Sequence, residues 1–228
     1  MLNRKLSAVI PAAGIGKRVG AIIPKQYLPL LDKTIIEHSL LPFLEHPEIL
    51  RVIVSLADND QWFMKLAIAK HPKIETVVGG LARVDSVLAA LQIIDDEDYV
   101  LIHDAARPCI TAADINKLIA VVKSNPHGAI LATKVRDTMK SSDAHHHIMS
   151  TVARENLWHA LTPQMFLNKE LINAISKNKY PEKLTDEASA MEMSGLPVHL
   201  VEGRADNLKI TREEDLKLGA FYLSQGEE

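Results

Sequence analysis

Cysteine is nearly absent from this chain: Cys109 is the only one in 228 residues. A lone cysteine forms no internal disulfide, which suits a reducing, cytoplasmic compartment. No basic neighbour in sequence marks it as a nucleophile, so its expected role is a small, partly buried residue. Long apolar runs are also missing. None approaches the ~20 residues of a membrane-spanning helix, so no membrane partner is expected. Positive charge is not in excess, since 26 Lys and Arg stand against 29 Asp and Glu for a net charge of −3. A general nucleic-acid binder is usually basic, so that partner is not expected either. Residues 1–10 lead straight into an apolar strand pattern, so no signal or transit peptide is expected. Internal repeats and low-complexity tracts are lacking.

What is present is an ordinary globular composition, 47% hydrophobic and 24% charged. Such a chain can bury a sizeable core, and residues 1–228 are expected to form one domain. Short apolar segments alternate with amphipathic ones. Strands are expected at Leu6–Ile10, Arg51–Leu56, Ile74–Val78, Tyr99–His103, Gly128–Thr133 and Val198–Glu202. Helices are expected near Thr34–Leu44, Asp60–Ala69, Arg83–Ile94, Ala112–Ser124, Asn168–Asn178, Thr185–Ser194 and Arg212–Leu223. Thr111, Thr185 and Thr211 stand where N-caps belong. The pattern predicts an α/β fold, an open and mainly parallel sheet flanked by helices. Residues 134–154 break the alternation. They are polar, with Asp143-Ala-His-His-His between two extended pieces, and read as a projecting β-hairpin arm. An arm without a core of its own is most easily explained if it embraces a second subunit. His145, His146 and His147 cannot readily face one metal ion from an extended strand, so an exposed turn is expected there.

The stretch around which the chain is organised lies near its start. The Leu6–Ile10 strand runs into Pro11, Ala12, Ala13, Gly14 and Gly16, followed by Lys17, Arg18 and, after Pro24, Lys25. Successive backbone N–H groups in such a turn can cradle an anion, and the cations supply full positive charge. A polyphosphate site at the end of the first strand is the physical reading. The glycine spacing alone is uninformative. Gly20 falls one residue late for the dinucleotide fingerprint, and no Ser or Thr follows a Gly-Lys pair as a Walker loop requires.

Pro11-Ala-Ala-Gly-Ile-Gly-Lys-Arg with Pro24-Lys-Gln-Tyr-Leu resembles the nucleotide loop of the sugar-nucleotidyltransferase superfamily. More narrowly, it is similar to the family of 2-C-methyl-D-erythritol 4-phosphate cytidylyltransferases. Later segments match in order: Gly79-Gly-Leu-Ala-Arg-Val-Asp-Ser, His103-Asp-Ala-Ala-Arg-Pro, Thr151-Val-Ala-Arg, Leu184-Thr-Asp-Glu-Ala-Ser and Gly203-Arg-Ala-Asp-Asn-Leu-Lys. The resemblance implies CTP and methylerythritol phosphate as substrates, Mg²⁺ as cofactor and a homodimer joined through the arm. It implies that Gly79, Gly80, Arg83 and Ser86 read the cytosine. Asp104, Ala105 and Arg107 would stand at the nucleotide, and Arg18 and Lys25 would stabilise the transition state. Arg154 and Lys209 would hold the acceptor phosphate, with Thr138 and Arg154 reaching into the partner's site. Thr185 would touch substrate, and Asp104 and Asp206 would hold the metal. Read from the residues alone, Asp104 could equally pair with Arg107, and the helix-start residues Thr185, Asp186 and Glu187 are fully explained by capping and the helix dipole. Lys209, between Leu208 and Ile210, should point away from the core. The implied chemistry is in-line attack on the α-phosphorus of CTP, which needs no covalent enzyme intermediate. A ribitol phosphate cytidylyltransferase, a Rossmann dehydrogenase and a silent nucleotide-binding module remain as alternatives.

Overall fold

A computed structural model describes residues 4–14, 23–178 and 184–225. Its centre is a seven-stranded sheet. In chain order the sheet strands are β1 (Leu6–Pro11), β4 (Ile49–Leu56), β5 (Ile74–Val78), β6 (Tyr99–Ile102), β7 (Ala129–Lys134), β10 (Trp158–Leu167) and β11 (His199–Glu202). Two short strands, β2 (Pro29–Leu30) and β3 (Lys33–Thr34), pair with each other, as do β8 (Met139–Ser142) and β9 (Ile148–Val152). Across the large sheet the order is β11-β7-β10-β6-β1-β4-β5. All its neighbours are parallel except β10, which is antiparallel to both β6 and β7.

Helices cover both faces, which explains why the strands read as continuous apolar runs. On β1, Leu6, Ala8 and Ile10 join a core with α1 (Ile35–Leu44) and α3 (Ala112–Val122), while Val9 points to the other face. That second core is built with α2 (Arg83–Leu91), α4 (Asn168–Ser176) and α5 (Glu187–Met193). The last helix, α6 (Glu213–Gln225), packs Leu216, Ala220 and Leu223 on Leu30, Ile35 and Ile210. The α/β class and mainly parallel sheet therefore agree with the sequence expectation.

Three differences have physical causes. The strand β10 is absent from the sequence expectation, because Pro163 lies in its middle and proline is poorly suited to a central strand. The chain accommodates it with a register shift against β7 between Ala160 and Gln164. The expected helix over Asp60–Ala69 is instead two short 3₁₀ turns, Phe63–Lys65 and Ala67–Lys70, separated by extended Leu66. Asp60 fixes the first turn by accepting from the Trp62 and Phe63 N–H groups, while Tyr27 donates its hydroxyl proton to the same carboxylate. Finally, α5 is capped by Asp186, not Thr185: the Asp186 side chain accepts from the Ser189 N–H at 3.0 Å.

The polar insertion does form a hairpin, β8 against β9. Asp143 closes its turn by accepting from the His145 and His147 N–H groups, and His146 takes a left-handed φ of 66°. Every residue of β9 is exposed in the single chain. The three histidines are exposed turn residues.

Candidate active site

A crevice opens where β1, β5 and β6 end, at the carboxyl edge of the parallel strands, where open α/β sheets bind ligands. It forms a cavity of about 440 Å³. One wall is the turn after β1, with Pro11, Ala12, Ala13 and Gly14. Opposite it, Gly80, Arg83 and Ser86 line the turn into α2, and Asp104, Ala105, Lys25 and Lys209 complete the floor. Gly16 and Arg18 lie outside the described residues.

The turn after β1 is held open by a residue with no expected role. Gln26 is buried and its amide donates to the carbonyls of Ala12 at 2.7 Å and Gly14 at 3.2 Å. These bonds tie the small-residue turn to the Lys25 segment. A Cβ at Gly14 would meet nothing within 4 Å, so its backbone faces open space. Lys25 Nζ donates to the Ile210 carbonyl at 2.9 Å, which brings it to the loop that carries Lys209.

Close packing explains the two glycines after β5. A Cβ at Gly79 would lie 2.7 Å from both Ala13 Cβ and Ser86 Oγ, and one at Gly80 would lie 2.2 Å from Asp85 Cβ. The Ser86 hydroxyl accepts from the Gly80 N–H at 3.2 Å and donates to the Ala82 carbonyl at 3.2 Å, so it shapes the turn from inside. Gly79 itself supports the wall rather than lining it.

Asp104 stands at the centre of a charged cluster. Its Oδ1 accepts from Arg83 Nε at 3.0 Å, and its Oδ2 lies 2.8 Å from Lys209 Nζ and 3.5 Å from Arg107 Nε. Burial by itself would raise the carboxyl pKa. The Arg83 charge, then Lys209, outweigh burial and hold it well below the usual carboxylate range. Arg83 also grips Glu187 with a two-pronged contact, Nη1 to Oε1 at 2.5 Å and Nη2 to Oε2 at 3.1 Å. Glu187 is only 3% exposed, and burial raises its pKa despite the Arg83 charge. Glu187 keeps the first-turn position expected for it and adds an ion pair across the site.

A second, smaller cleft of about 250 Å³ lies beyond this cluster. It shares Arg83, Asp104 and Lys209 with the first and adds Arg107, Thr162 and Thr185. Beneath it runs a buried relay that the sequence did not disclose. His103 Nε2 faces the Arg107 carbonyl at 3.1 Å, and a carbonyl can only accept, so Nε2 carries the proton. The Thr162 hydroxyl therefore donates to His103 Nδ1 at 2.9 Å, and it accepts from the Asp104 N–H at 3.1 Å. Burial lowers the His103 pKa to about 4, keeping the ring neutral. Asn207, fully buried, donates from Nδ2 to the Thr162 carbonyl at 2.8 Å, and its own backbone carbonyl accepts from Arg107 Nη1 at 2.8 Å. The Lys209 loop is thereby bolted to β10 and to the loop after β6.

The remaining expected residues lie elsewhere. Arg154 is at the base of the hairpin, bonded to the Arg136 carbonyl, and lines a separate recess with Gly203 and Ala205. Thr138 is exposed, just before β8. Neither lines the crevice of its own chain. Asp104 and Asp206, the residues expected to hold a metal ion, face cations in this chain. Both Asp104 oxygens are already turned to cations, and Asp206 Oδ1 lies 3.4 Å from Arg204 Nε. Among the described residues no three His, Cys, Asp or Glu side chains converge on a metal-sized gap. Cys109 is buried, its thiol pushed up to about 12 by burial, which leaves it unreactive.

Known proteins supply the chemistry that fits this crevice. The family model for 2-C-methyl-D-erythritol 4-phosphate cytidylyltransferase matches residues 6–225. A protein of that name from Aeromonas hydrophila is 54% identical over 98% of this chain and 92% of its own length. One from Vibrio cholerae is 50% identical over 98% of both chains. A crystal structure of the Francisella tularensis cytidylyltransferase superposes with a TM-score of 0.82 at 35% identity, covering 96% of this chain and 99% of that one. A 4-diphosphocytidyl-2C-methyl-D-erythritol synthase structure gives 0.84 at 33% identity, over 97% of this chain and all of its own. These matches favour methylerythritol phosphate over ribitol phosphate as acceptor, and they leave the dehydrogenase and silent-module alternatives without support. The chain belongs to the 2-C-methyl-D-erythritol 4-phosphate cytidylyltransferase family, whose members transfer CMP from CTP to that acceptor.

Proposed function

We propose that the two clefts divide the substrates of this transfer between them and that the Asp104 cluster is their common wall. CTP occupies the larger cavity. Its phosphates lie on the N–H groups of the Ala12–Gly14 turn, and its base lies against the Gly80–Ser86 turn. The acceptor phosphate occupies the smaller cleft, near Arg107, Lys209 and Thr185. The observation that carries this reading is that Arg83, Asp104 and Lys209 line both spaces, so the two anions meet at one cationic seam.

The reaction is attack of the acceptor phosphate oxygen on the α-phosphorus of CTP, with pyrophosphate leaving. Two polyanions must be brought together, so catalysis consists of positioning and of charge stabilisation. Lys25 serves the developing charge on the nucleotide side, together with Arg18. Lys209 exchanges its Asp104 contact for the acceptor phosphate and offsets repulsion between the substrates. The divalent cation is assigned to the triphosphate that arrives as substrate, and Asp104 or Asp206 would hold it only by giving up a cation contact. Thr138 and Arg154 complete the acceptor site of a second copy through the hairpin, which makes the working unit a homodimer. Support comes from their position outside their own chain's crevice and from the exposed apolar side chains of Ile148 and Met149 on the hairpin. A cytoplasmic location agrees with the single cysteine, and no helix among the described residues is long and apolar enough to cross a membrane.

The test is pyrophosphate release from CTP and Mg²⁺ with either of two acceptors. Release with methylerythritol phosphate and none with ribitol phosphate is expected. Release only with ribitol phosphate would reassign the acceptor cleft.

A further inference from the structure

The cytidine wall of the crevice depends on a long, flexible side chain. Arg83 is the first residue of α2, and its side chain keeps 32% of its surface exposed while lining both clefts. An arginine at a mouth can adopt many rotamers. Here the guanidinium is fixed from two directions: Asp104 takes Nε, and Glu187 takes both terminal nitrogens. A guanidinium has five N–H donors, so these three contacts leave two for a ligand.

Glu187 differs from the other carboxylates around the crevice. It is the first residue of α5, far from Arg83 in the chain, and Arg83 engages both of its carboxylate oxygens. Its backbone is fixed independently. The Asp186 cap holds the start of α5, and buried Gln164 accepts from the Ala188 N–H at 2.9 Å and donates to Asp186 Oδ2 at 2.8 Å. The glutamate is therefore a rigid anion on a rigid mount. A buried ion pair adds little net stability compared with an apolar pair of the same volume. What a two-pronged pair does supply is orientation.

We infer that Glu187 is a positioning residue that clamps the Arg83 guanidinium in the plane needed to receive CTP. It touches neither substrate and acts only through Arg83. This inference rests on the assignment of CTP to the larger cavity.

The experiment measures CTP affinity by calorimetry without acceptor, and thermal stability alongside, for the wild type, Glu187→Gln, Arg83→Met and the double variant Arg83→Met/Glu187→Met. Glu187→Gln is expected to weaken CTP binding about tenfold or more. Arg83→Met should weaken it at least as much. The apolar double variant should melt close to the wild type, because both charges leave together, and should bind CTP as Arg83→Met does, with no additional loss. In turnover, Glu187→Gln should raise the KM for CTP more than it lowers kcat. Glu187→Asp, which keeps the charge but loses reach, should recover part of the affinity.

Wild-type affinity in folded Glu187→Gln would overturn the clamp and leave the pair a structural one. A further loss of affinity in the double variant beyond Arg83→Met would show that Glu187 acts by a route other than Arg83. If the wild type itself failed to bind CTP, the assignment of the cavity would fall and the clamp with it. That result is distinct from the other two.

Discussion

At the scale of single residues, the site is a set of charges made tolerable by their partners. His103 is the simplest to isolate. It is fully buried and neutral, with a pKa lowered from an ordinary 6.5 to about 4. Between those values the unfolded chain binds a proton that the folded chain refuses, so stability rises with pH across that window and falls on acidification through it. The size of the effect is about 3 kcal/mol at 1.36 kcal/mol per pKa unit. Glu187 works in the opposite direction, since its raised pKa favours the folded state at the acid end. Comparison with a His103→Gln variant removes that contribution, because both proteins carry Glu187. Urea unfolding at pH 4.5 and 7.5 should show a smaller difference between the two pH values in the variant. Most of the residues that touch the cavities could be read in the sequence, because small residues and cations in a strand-end turn have few other uses. Gln26, Thr162 and Asn207 could not. Each acts through bonds to backbone carbonyls or to another side chain far away in the chain, and sequence spacing carries no trace of such a partner.

Elements were legible where periodicity was undiluted. The strands β1, β4 and β6 lie within two residues of their expected bounds because they are mostly buried and mostly apolar; the edge strand β5 matches too, although Glu75 and Thr76 are exposed. Failure came where tertiary contacts override local pattern. β10 tolerates Pro163 because its bulge turns Thr162 out of the ladder and toward His103. The start of α5 is a finer case. Thr185, Asp186 and Glu187 are all good helix-start residues, and only the geometry separates them: Thr185 and Asp186 both line the smaller cleft, but Asp186 alone caps the helix, and Glu187 crosses the site. Asp186→Ala should therefore cost at least about 1 kcal/mol of stability, the range of a lost N-cap, because buried Gln164 also loses a partner. Thr185→Ala should unfold at nearly the wild-type denaturant midpoint and raise the KM for methylerythritol phosphate instead. Equal losses of stability from the two would return the cap to Thr185.

For the whole molecule, the hairpin is the feature that a single chain does not explain. Its own crevice lacks Thr138 and Arg154, and β9 is exposed along its length. If each site draws Lys25 from one subunit and Arg154 from the other, two inactive variants can repair one another. A mixed dimer of Lys25→Ala and Arg154→Ala subunits contains one site with both groups intact. After unfolding and refolding together, random pairing should restore about a quarter of wild-type turnover, as two-fold symmetry dictates. Mixtures no more active than the separate variants would confine each site to one chain. The charged seam has a further consequence for how substrate arrives. Arg83, Arg107 and Lys209 are already matched against Asp104 and Glu187. Seen from beyond a Debye length of about 8 Å, that group of five carries roughly one positive charge rather than three. Diffusing CTP meets a faint field there, so this group contributes little electrostatic steering to the encounter. The attraction develops only at contact, when phosphate oxygens compete for cations that the carboxylates have kept in place.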